Sequence, residues 1–308
     1  MSDNISNRPQ TASHSRPKNR WRRHSFRLLR IAVVVYLGIS IFVYFLQDWM
    51  LFPGHASQGK QISKIIGERD TDILQLKTAD GDRVVAIYGS ALLPSGDPDP
   101  GAAHRPTVLY FYGNAGSVAW SMNEFDHFRR LDANVLIPDL VGYGMSGGMP
   151  SEKAFYATAD CCYDYLLQRP DIDRHKIVAV GWSMGSAVAI DLATRKPIAG
   201  VAIFNAFTSL QLEARHVMPW LPTTLMVKYQ FDNERKIATL SCPIFICNGM
   251  RDTLVSPKMS DSLAAAAGGP VTRLRIDAAD HNTIFVAATD QPFPALGKFI
   301  DDIDHNNP

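Results

Sequence analysis

The sequence has few cysteines and lacks the short motifs that bind metals and nucleotides. Four cysteines in 308 residues do not make a disulfide framework, and none has the spacing of a zinc site. The Gly-x-Gly-x-x-Gly spacing occurs only within the glycine-rich stretch 142–147, and neither it nor any phosphate-binding loop argues for a bound nucleotide. We therefore expect no metal and no cofactor.

The chain also has almost no net charge, but its charges are unevenly distributed. The formal net charge is +1. Residues 1–30 hold eight Lys and Arg against one Asp, about +7, whereas the remaining residues hold 23 basic and 29 acidic side chains, about −6. The basic charge thus belongs to a tail and not to one face of a folded domain, and we expect no nucleic-acid partner.

A single long apolar run follows this tail. Residues 31–46, IAVVVYLGISIFVYFL, carry no charge and as a helix would extend for roughly 24 Å, short of the roughly 30 Å hydrocarbon core of a membrane. Flanking apolar residues and a snorkelling Arg30 close this gap. A buried core helix would be amphipathic, whereas this run is apolar all round. The sequence therefore predicts a disordered, basic, cytoplasmic tail at residues 1–27 and a transmembrane anchor at residues 28–50.

The basic tail also predicts the orientation of the anchor. Positively charged flanks stay in the cytoplasm, which places residues 51–308 on the extracytoplasmic side, the periplasm in a Gram-negative bacterium. A cleavable signal peptide is the alternative, because Gly54-His55-Ala56 offers a small-x-small cleavage site. Pro53 and the bulky aromatic residues before it fit such a site poorly, so an uncleaved anchor is favoured.

After the anchor the chain alternates short apolar runs with longer amphipathic ones. Two strands joined by Asp80-Gly81 have the pattern of a β-hairpin. Six continuous apolar strands follow, separated by helices, which indicates a largely parallel sheet buried on both faces. The predicted strands are 73–76, 84–90, 108–111, 135–137, 177–180, 201–204, 244–247 and 274–276, and the predicted helices 117–131, 151–168, 184–195, 257–267 and 282–303. The fold class is therefore α/β, with helices on both faces of the sheet and a short cap insertion at about 207–233.

Three chemically reactive side chains follow strands of this sheet. Ser183, Asp252 and His281 occur in that order along the chain. Parallel strands direct the residues that follow them to one edge, so we expect these side chains to lie close together. A serine hydroxyl needs an imidazole to take its proton and a carboxylate to orient the imidazole, which makes the three a candidate catalytic triad. Asp139 is the competing acid, but the position of Asp252 after the cap insertion favours Asp252, and Asp139 is expected to order its own glycine-rich loop.

The serine lies in a Gly-x-Ser-x-Gly sequence between a strand and a helix. Gly181 and Gly185 are expected there because so sharp a turn leaves no room for β-carbons two residues on either side of the nucleophile. The backbone N–H of Met184, at the start of the helix, would face a developing oxyanion. The N–H of Asn114, in the loop 113–116, would be the second oxyanion donor.

These motifs resemble those of the alpha/beta-hydrolases, in particular a membrane-anchored, small-lidded branch that includes protein-depalmitoylating hydrolases and bacterial serine aminopeptidase-like hydrolases. The resemblance covers roughly residues 50–300 and rests on YGNAGS, GYGMSGGMPSE, GWSMG, CPIFICNGMRD and DHN. It implies an alpha/beta-hydrolase fold with Ser183 as nucleophile, Asp252 as acid, His281 as base, and Asn114 and Met184 as oxyanion donors. Tyr112 departs from the pattern, because the family usually has histidine at that position.

Two regions near this site leave alternatives open. Tyr143, in the loop after the fourth strand, is the candidate substrate-binding residue, and a packed aromatic side chain is the alternative. Three roles are open for the apolar residues of the cap insertion: they receive an acyl chain, they face a bilayer, or they pack onto the sheet as ordinary helices do. Because the insertion is short, we expect a fairly open site.

The sequence thus predicts a membrane-anchored serine hydrolase that cleaves a carboxylic ester or thioester of a small-molecule or acylated substrate through an acyl-enzyme. A serine peptidase of the same fold is one alternative, although the chain shows no large cap and no acidic clamp for a peptide amine. A catalytically inactive, membrane-tethered binding protein is the other. The acyl group of the substrate is not encoded in these motifs, because fold and triad determine only the bond chemistry.

Overall fold

The computed structural model describes residues 18–67, 70–286 and 291–306. The chain divides into two units, of which the first ends at Leu46 and the second begins at Gln47. The first unit contains most of one long helix. The second contains the β-sheet and the helices that pack on it, and it holds every residue of the candidate site.

The N-terminal helix, α1, spans Lys18–Leu51. Its part Trp21–Leu51 is long and apolar enough to cross a membrane: the 18-residue window that qualifies has a mean hydropathy of 2.3, and none of that window is buried. The predicted disorder of residues 18–27 is wrong, because α1 already includes them, and the predicted tail at 1–17 lies outside the described residues. This stretch has no Gly or Pro and is rich in Arg, so the helix propagates into it from the apolar run.

The second unit is built on one eight-stranded sheet. Its strands are β1 Thr71–Lys77, β2 Arg83–Gly89, β3 Thr107–Phe111, β4 Asn134–Pro138, β5 Ile177–Trp182, β6 Gly200–Phe204, β7 Ile244–Gly249 and β8 Val271–Ile276. Their order across the sheet is β1-β2-β4-β3-β5-β6-β7-β8. β1 with β2 and β2 with β4 are antiparallel, and the other pairs are parallel. The predicted mainly parallel sheet is therefore confirmed, and each predicted strand is present.

The middle of the sheet is buried on both faces. Strands β3, β4, β6 and β7 consist entirely of buried residues, although successive side chains of a strand point to opposite faces. The edge strand β1 has mostly exposed or half-buried residues instead. Both faces of the central strands are thus covered, as the continuous apolar runs indicate. A site can therefore form only beyond the ends of these strands or at the outer strands.

The helices of the second unit connect and cover these strands. They are α2 Met122–Arg129, α3 Glu152–Gln168, α4 Met184–Arg195, α5 Leu210–Val217, α6 Thr223–Met226, α7 Asn233–Ile237, α8 Pro257–Ala266 and α9 Pro292–Asn306.

Two predicted helix starts, at residues 117 and 282, are wrong. Residues 118–120 form a separate 3-10 turn before α2, and residues 281–286 form turns before α9, with 287–290 outside the described residues. Pro292 and Pro294 fit only the first turn of a helix, which sets the start of α9.

The residues that follow α1 are built into the second unit. We call Leu51–Ser63 the junction segment. Phe52 is buried, and its ring meets the ring of Phe155 edge to face at a centroid distance of 5.3 Å. The Ser57 hydroxyl oxygen accepts the backbone N–H of Gly144 at 3.0 Å. The junction segment is therefore part of the packed domain and not a linker.

The cap, residues 207–233, contains α5, α6 and an irregular stretch that leads to α7. Its irregular stretch is hydrogen-bonded to the last turn of α1. The Gln47 side chain donates through Nε2 to the Met226 carbonyl at 3.2 Å and accepts the Lys228 backbone N–H at 2.9 Å. The short insertion predicted from the sequence is thus present, and it is tied to residues that directly follow the apolar run.

Candidate active site

Ser183 occupies the turn between β5 and α4, and its backbone is strained. Its φ of 54° and ψ of −118° are rare for a residue with a β-carbon, and such a conformation costs about 1–3 kcal/mol. A β-carbon added to Gly181 would lie 2.3 Å from the Gly185 carbonyl oxygen, and one added to Gly185 would lie 1.9 Å from the Phe111 carbonyl oxygen. Both glycines are therefore needed for the steric reason that the sequence indicates.

The structure brings Ser183, Asp252 and His281 together. The Ser183 Oγ lies 2.9 Å from Nε2 of His281, and Nδ1 of the same ring lies 2.7 Å from Oδ2 of Asp252. All three residues are buried. With the proton on Nδ1, the imidazole donates to the carboxylate, and Nε2 is free to accept the serine hydroxyl proton. This geometry would allow the hydroxyl to act as a nucleophile, the imidazole as a base and the carboxylate as the group that orients the imidazole.

Backbone donors fix the orientation of the Asp252 carboxylate. Its Oδ1 accepts the N–H of Leu254 at 2.9 Å and the N–H of Val255 at 2.8 Å. The other oxygen, Oδ2, is thereby left to face His281. A carboxylate held in this orientation can accept a hydrogen bond from Nδ1 of His281 and keep the ring in place.

Asn205, which sequence reasoning did not identify, holds the loop that carries His281. Its Nδ2 donates to the His281 carbonyl at 3.1 Å, and its Oδ1 accepts the Gly249 N–H at 2.9 Å. The Trp182 indole donates to the same His281 carbonyl at 3.2 Å. Asn205 directly follows β6 and has a φ of 46°. The available signal was an Asn just after an apolar strand, since Asn tolerates this left-handed conformation better than most residues.

Asp139, the competing acid, makes other contacts. Its Oδ1 accepts the Tyr112 hydroxyl at 3.0 Å and the Val118 N–H at 2.7 Å, and its Oδ2 accepts the Met145 N–H at 2.7 Å. Burial raises the pKa of this carboxyl to about 6, although the backbone donors oppose that shift. Asp139 thus orders the loop after β4, as expected, and in addition ties that loop to the segment that carries Asn114.

The two candidate oxyanion donors belong to segments that lie next to Ser183. Met184 is the first residue of α4, and N–H groups in the first turn of a helix have no acceptor within the helix. On the other side, a β-carbon built on Gly113 would lie 3.6 Å from the β-carbon of Ser183, so the loop that contains Asn114 runs beside the serine. The Tyr112 ring, in place of the family's histidine, is buried beneath this loop and bonded to Asp139.

Tyr143 does not line an open pocket, so its assignment to substrate binding is wrong. The side chain is fully buried, and its ring packs edge to face on Phe155 at a centroid distance of 5.3 Å. A β-carbon added to Gly54 would lie 2.2 Å from this ring, so the junction segment covers it. Its neighbours Gly142 and Gly144 both have positive φ values, which glycine adopts without strain. They turn the chain so that the aromatic ring points into the core.

Glu213, in α5 of the cap, is a second feature that the sequence did not reveal. Neither carboxylate oxygen is exposed, and neither has a hydrogen-bond partner among the residues that the structure describes. Burial, together with the smaller effect of the negative charge of Asp252, raises the pKa of this carboxyl to about 7. A carboxyl without exposed oxygens is not an accessible clamp for a substrate amine, so it gives no support to a peptidase.

No metal site accompanies this arrangement in the described parts of the chain. Within residues 18–67, 70–286 and 291–306, no group of three or more His, Cys, Asp or Glu side chains is placed to hold a metal ion. The four cysteines in this part of the chain are free thiols.

The sheet order, the nucleophile turn and the three clustered side chains define a hydrolase fold. A family profile described as the alpha/beta hydrolase fold matches residues 106–242. The chain has the alpha/beta-hydrolase fold, so the fold implied by the sequence motifs is confirmed.

Known proteins share this fold over most of the chain. The uncharacterized protein Rv2307c of Mycobacterium tuberculosis is 28% identical over 256 residues, which cover 83% of this chain and 87% of that protein. Protein bem46 of Schizosaccharomyces pombe is 26% identical over 299 residues, which cover 92% and 96%. The crystal structure of the esterase Pf2001 of Pyrococcus furiosus superposes with a TM-score of 0.65 at 17% identity, covering 78% of this chain and 95% of the esterase.

Proposed function

We propose that the protein is a membrane-anchored serine hydrolase that cleaves a carboxylic ester or thioester of a small-molecule or acylated substrate. The observation that carries this proposal is the continuous relay from the Ser183 hydroxyl to His281 at 2.9 Å and from His281 to Asp252 at 2.7 Å. A packing role for these residues would not require a strained serine backbone between two glycines that cannot be replaced.

The geometry supports an acyl-enzyme mechanism. The Ser183 Oγ attacks the carbonyl carbon while Nε2 of His281 takes the hydroxyl proton. The carbonyl oxygen becomes an oxyanion that the backbone N–H groups of Met184 and Asn114 stabilise, and one such donor is worth about 3–4 kcal/mol of transition-state stabilisation. The imidazolium then gives its proton to the leaving alkoxide or thiolate, and the acyl group stays on Ser183.

Hydrolysis of the acyl-enzyme repeats these steps with water. His281 takes a proton from the water, whose oxygen attacks the acyl carbonyl and forms a second oxyanion at the same two N–H groups. Collapse of this intermediate returns the proton to the Ser183 Oγ and releases the carboxylic acid. Throughout, Asp252 stabilises the cationic imidazole and keeps its Nδ1 protonated.

Covalent labelling separates this proposal from an inactive binding protein. A fluorophosphonate probe should label the wild-type protein and fail to label Ser183→Ala. Ser186→Ala is the matched control, because Ser186 follows the same turn but donates its hydroxyl to the Gly181 carbonyl at 2.8 Å. Labelling of Ser186→Ala should persist. A wild-type protein that folds but never labels would favour the binding protein.

Turnover assays separate an esterase from a peptidase. p-Nitrophenyl esters of increasing acyl length should be hydrolysed, and aminoacyl anilides should be hydrolysed far more slowly, because an amine is a poorer leaving group and the cap offers no exposed clamp for it. Turnover of the anilides alone would establish the peptidase instead. The chain-length profile of the esters then gives the size of the acyl subsite.

The anchor and its orientation are part of the same proposal. Support comes from the apolar part of α1, Trp21–Leu51, and from the excess of Arg and Lys before it. The protein should remain with membranes after carbonate extraction. Protease added to spheroplasts should reach the catalytic domain and leave the basic N-terminus intact. The opposite digestion pattern would reverse the orientation, and release of the protein by carbonate would favour a cleaved signal peptide.

A further inference from the structure

The junction segment holds the residue that is proposed to donate to the oxyanion. The backbone N–H of Gly54 donates to the Asn114 carbonyl at 3.0 Å. The Asn114 side chain donates through Nδ2 to the Leu51 carbonyl at 3.2 Å. Both the main chain and the side chain of Asn114 are therefore bonded to residues that lie within eight positions of the end of the apolar run.

These bonds complete the immobilisation of the oxyanion loop. The Gly116 N–H donates to the Gly113 carbonyl at 3.1 Å, which fixes the peptide plane between Gly113 and Asn114. In a trans peptide the N–H points opposite to the C=O, so this bond sets the direction of the Asn114 N–H. The bond from Gly54 fixes the next peptide plane. Asn114 thus lies between two peptide planes that are both held.

The junction segment is itself rigid enough to act as a support. Gly54 lies so close to the buried Tyr143 ring that a β-carbon would be 2.2 Å from it. Phe52 packs between the rings of Phe155 and Tyr229, at centroid distances of 5.3 and 5.0 Å. These contacts explain why Tyr143 is buried: it is the surface on which Gly54 rests.

We propose that Leu51–Gly54 is a positioning element for the oxyanion donor Asn114, so that the junction behind the apolar helix contributes to the rate of acyl transfer. This inference rests on the proposed function. The donors act on charge that develops only in the transition state. Misplacement of Asn114 should therefore lower kcat and leave KM nearly unchanged.

Two variants test the positioning role from opposite sides. Gly54→Ala pushes the segment away from Tyr143, and Asn114→Ala removes the bond to the Leu51 carbonyl while it leaves the backbone N–H in place. Each should lower kcat on a p-nitrophenyl ester by roughly 10- to 100-fold, less than the full loss of a donor, with KM within about twofold. The apparent Ki of a trifluoromethyl ketone, which forms an oxyanion adduct, should rise in proportion to the loss in kcat/KM.

Gln58→Ala is the matched control. Gln58 belongs to the junction segment, but its Nε2 donates to the carbonyls of Ser146 and Gly148, both at 3.0 Å, and not to Asn114. This variant should keep the wild-type kcat. Gly54→Ala combined with Tyr143→Leu, which makes room for the new β-carbon, should regain most of the rate that Gly54→Ala loses.

Active-site titration distinguishes rate from folding. The end point of fluorophosphonate labelling counts competent sites, and kcat is expressed per labelled site. An unchanged per-site kcat in Asn114→Ala would overturn the inference, even if Gly54→Ala did not fold. An equal loss in Gln58→Ala would also overturn it, because it would indicate general loosening of the segment. A wild-type protein that neither labels nor turns over esters would instead contradict the proposed function.

Discussion

The nucleophile turn, Gly181–Ser186, and the cap belong to the same domain but are built in opposite ways. Ser183 has a strained backbone, and the glycines on either side are in contact with the neighbouring main chain. The cap has two short helices and exposes large apolar side chains, among them Leu225 at 86%. The comparison teaches that the turn has almost no freedom of sequence, whereas the exposed surface of the cap is free to vary.

The largest expected effect is at the nucleophile turn. Gly185→Ala places a β-carbon within 1.9 Å of the Phe111 carbonyl oxygen, and the backbone of Phe111 and Tyr112 cannot yield without opening the sheet. We expect a loss of more than about 3 kcal/mol of unfolding free energy and no measurable esterase activity. Thermal denaturation of the purified protein and ester turnover measure the two effects.

Gly147→Ala is the control for this substitution. A β-carbon at Gly147 would have its nearest neighbour at 3.6 Å, an ordinary contact, so stability should change by less than about 1 kcal/mol. If Gly147→Ala and Gly185→Ala lowered the free energy of unfolding by the same amount, the two glycine positions would not differ as the comparison requires.

The next largest effect is expected at Asn205, which supports the loop that carries His281, the proposed base. Asn205→Ala removes the donor to the His281 carbonyl and the acceptor for the Gly249 N–H. We expect about 2 kcal/mol of destabilisation and a roughly 10-fold lower kcat with a smaller change in KM. Asn205→Gly, which adopts the positive φ of 46° without strain, should recover stability in part but not the rate. Full recovery of kcat by glycine would mean that the side-chain bonds do not position His281.

Glu213 tests whether the burial of a carboxyl within the cap lowers stability at neutral pH. Its pKa is about 7 in the folded protein, above the ordinary value of 4.5. As pH rises from about 5 to about 8, the unfolded chain loses this proton before the folded protein does, so the free energy of unfolding falls, and the loss is complete above about pH 7. Glu213→Gln should lack this loss and gain about 1–2 kcal/mol relative to wild type across that range, discounted for partial exposure. Parallel pH profiles of the two proteins in chemical denaturation would contradict this.

The smallest expected effect is on the cap surface. Leu225→Ser changes a side chain that is 86% exposed, so stability should change by less than about 0.5 kcal/mol, and hydrolysis of a short soluble ester should be unaffected. Leu210→Ser, in the same cap but with a side chain 4% exposed, should cost about 3 kcal/mol. A large rate loss in Leu225→Ser on the short ester would remove the distinction between the two regions.

Much of the fold was predictable because local patterns and tertiary structure agree. The apolar strands and the glycine spacing around Ser183 each follow from steric rules that act within a few residues. The grouping of Ser183, Asp252 and His281 was predictable as well, because strand ends of a parallel sheet meet at one edge.

The remaining features depend on contacts between distant segments. The bonds from Asn205 to the His281 loop, and from Leu51 and Gly54 to Asn114, join residues that only the folded chain brings together. The burial of Tyr143 could not be read from the sequence, because an aromatic residue in a glycine-rich loop fits a pocket wall and a core equally well. The start of α9 was missed because the apolar pattern extends ahead of Pro292, where the ring constraint decides.

The burial of the junction segment has a consequence for maturation. A leader peptidase that cut after Ala56 would remove Phe52, and loss of a buried phenylalanine costs about 3–5 kcal/mol. Such a peptidase binds an extended strand, whereas Pro53–Ser57 forms a 3-10 turn with Gly54 and Ser57 buried. Processing would therefore have to precede folding and would leave a weakened product. N-terminal sequencing of the protein from cells thus reports which event comes first.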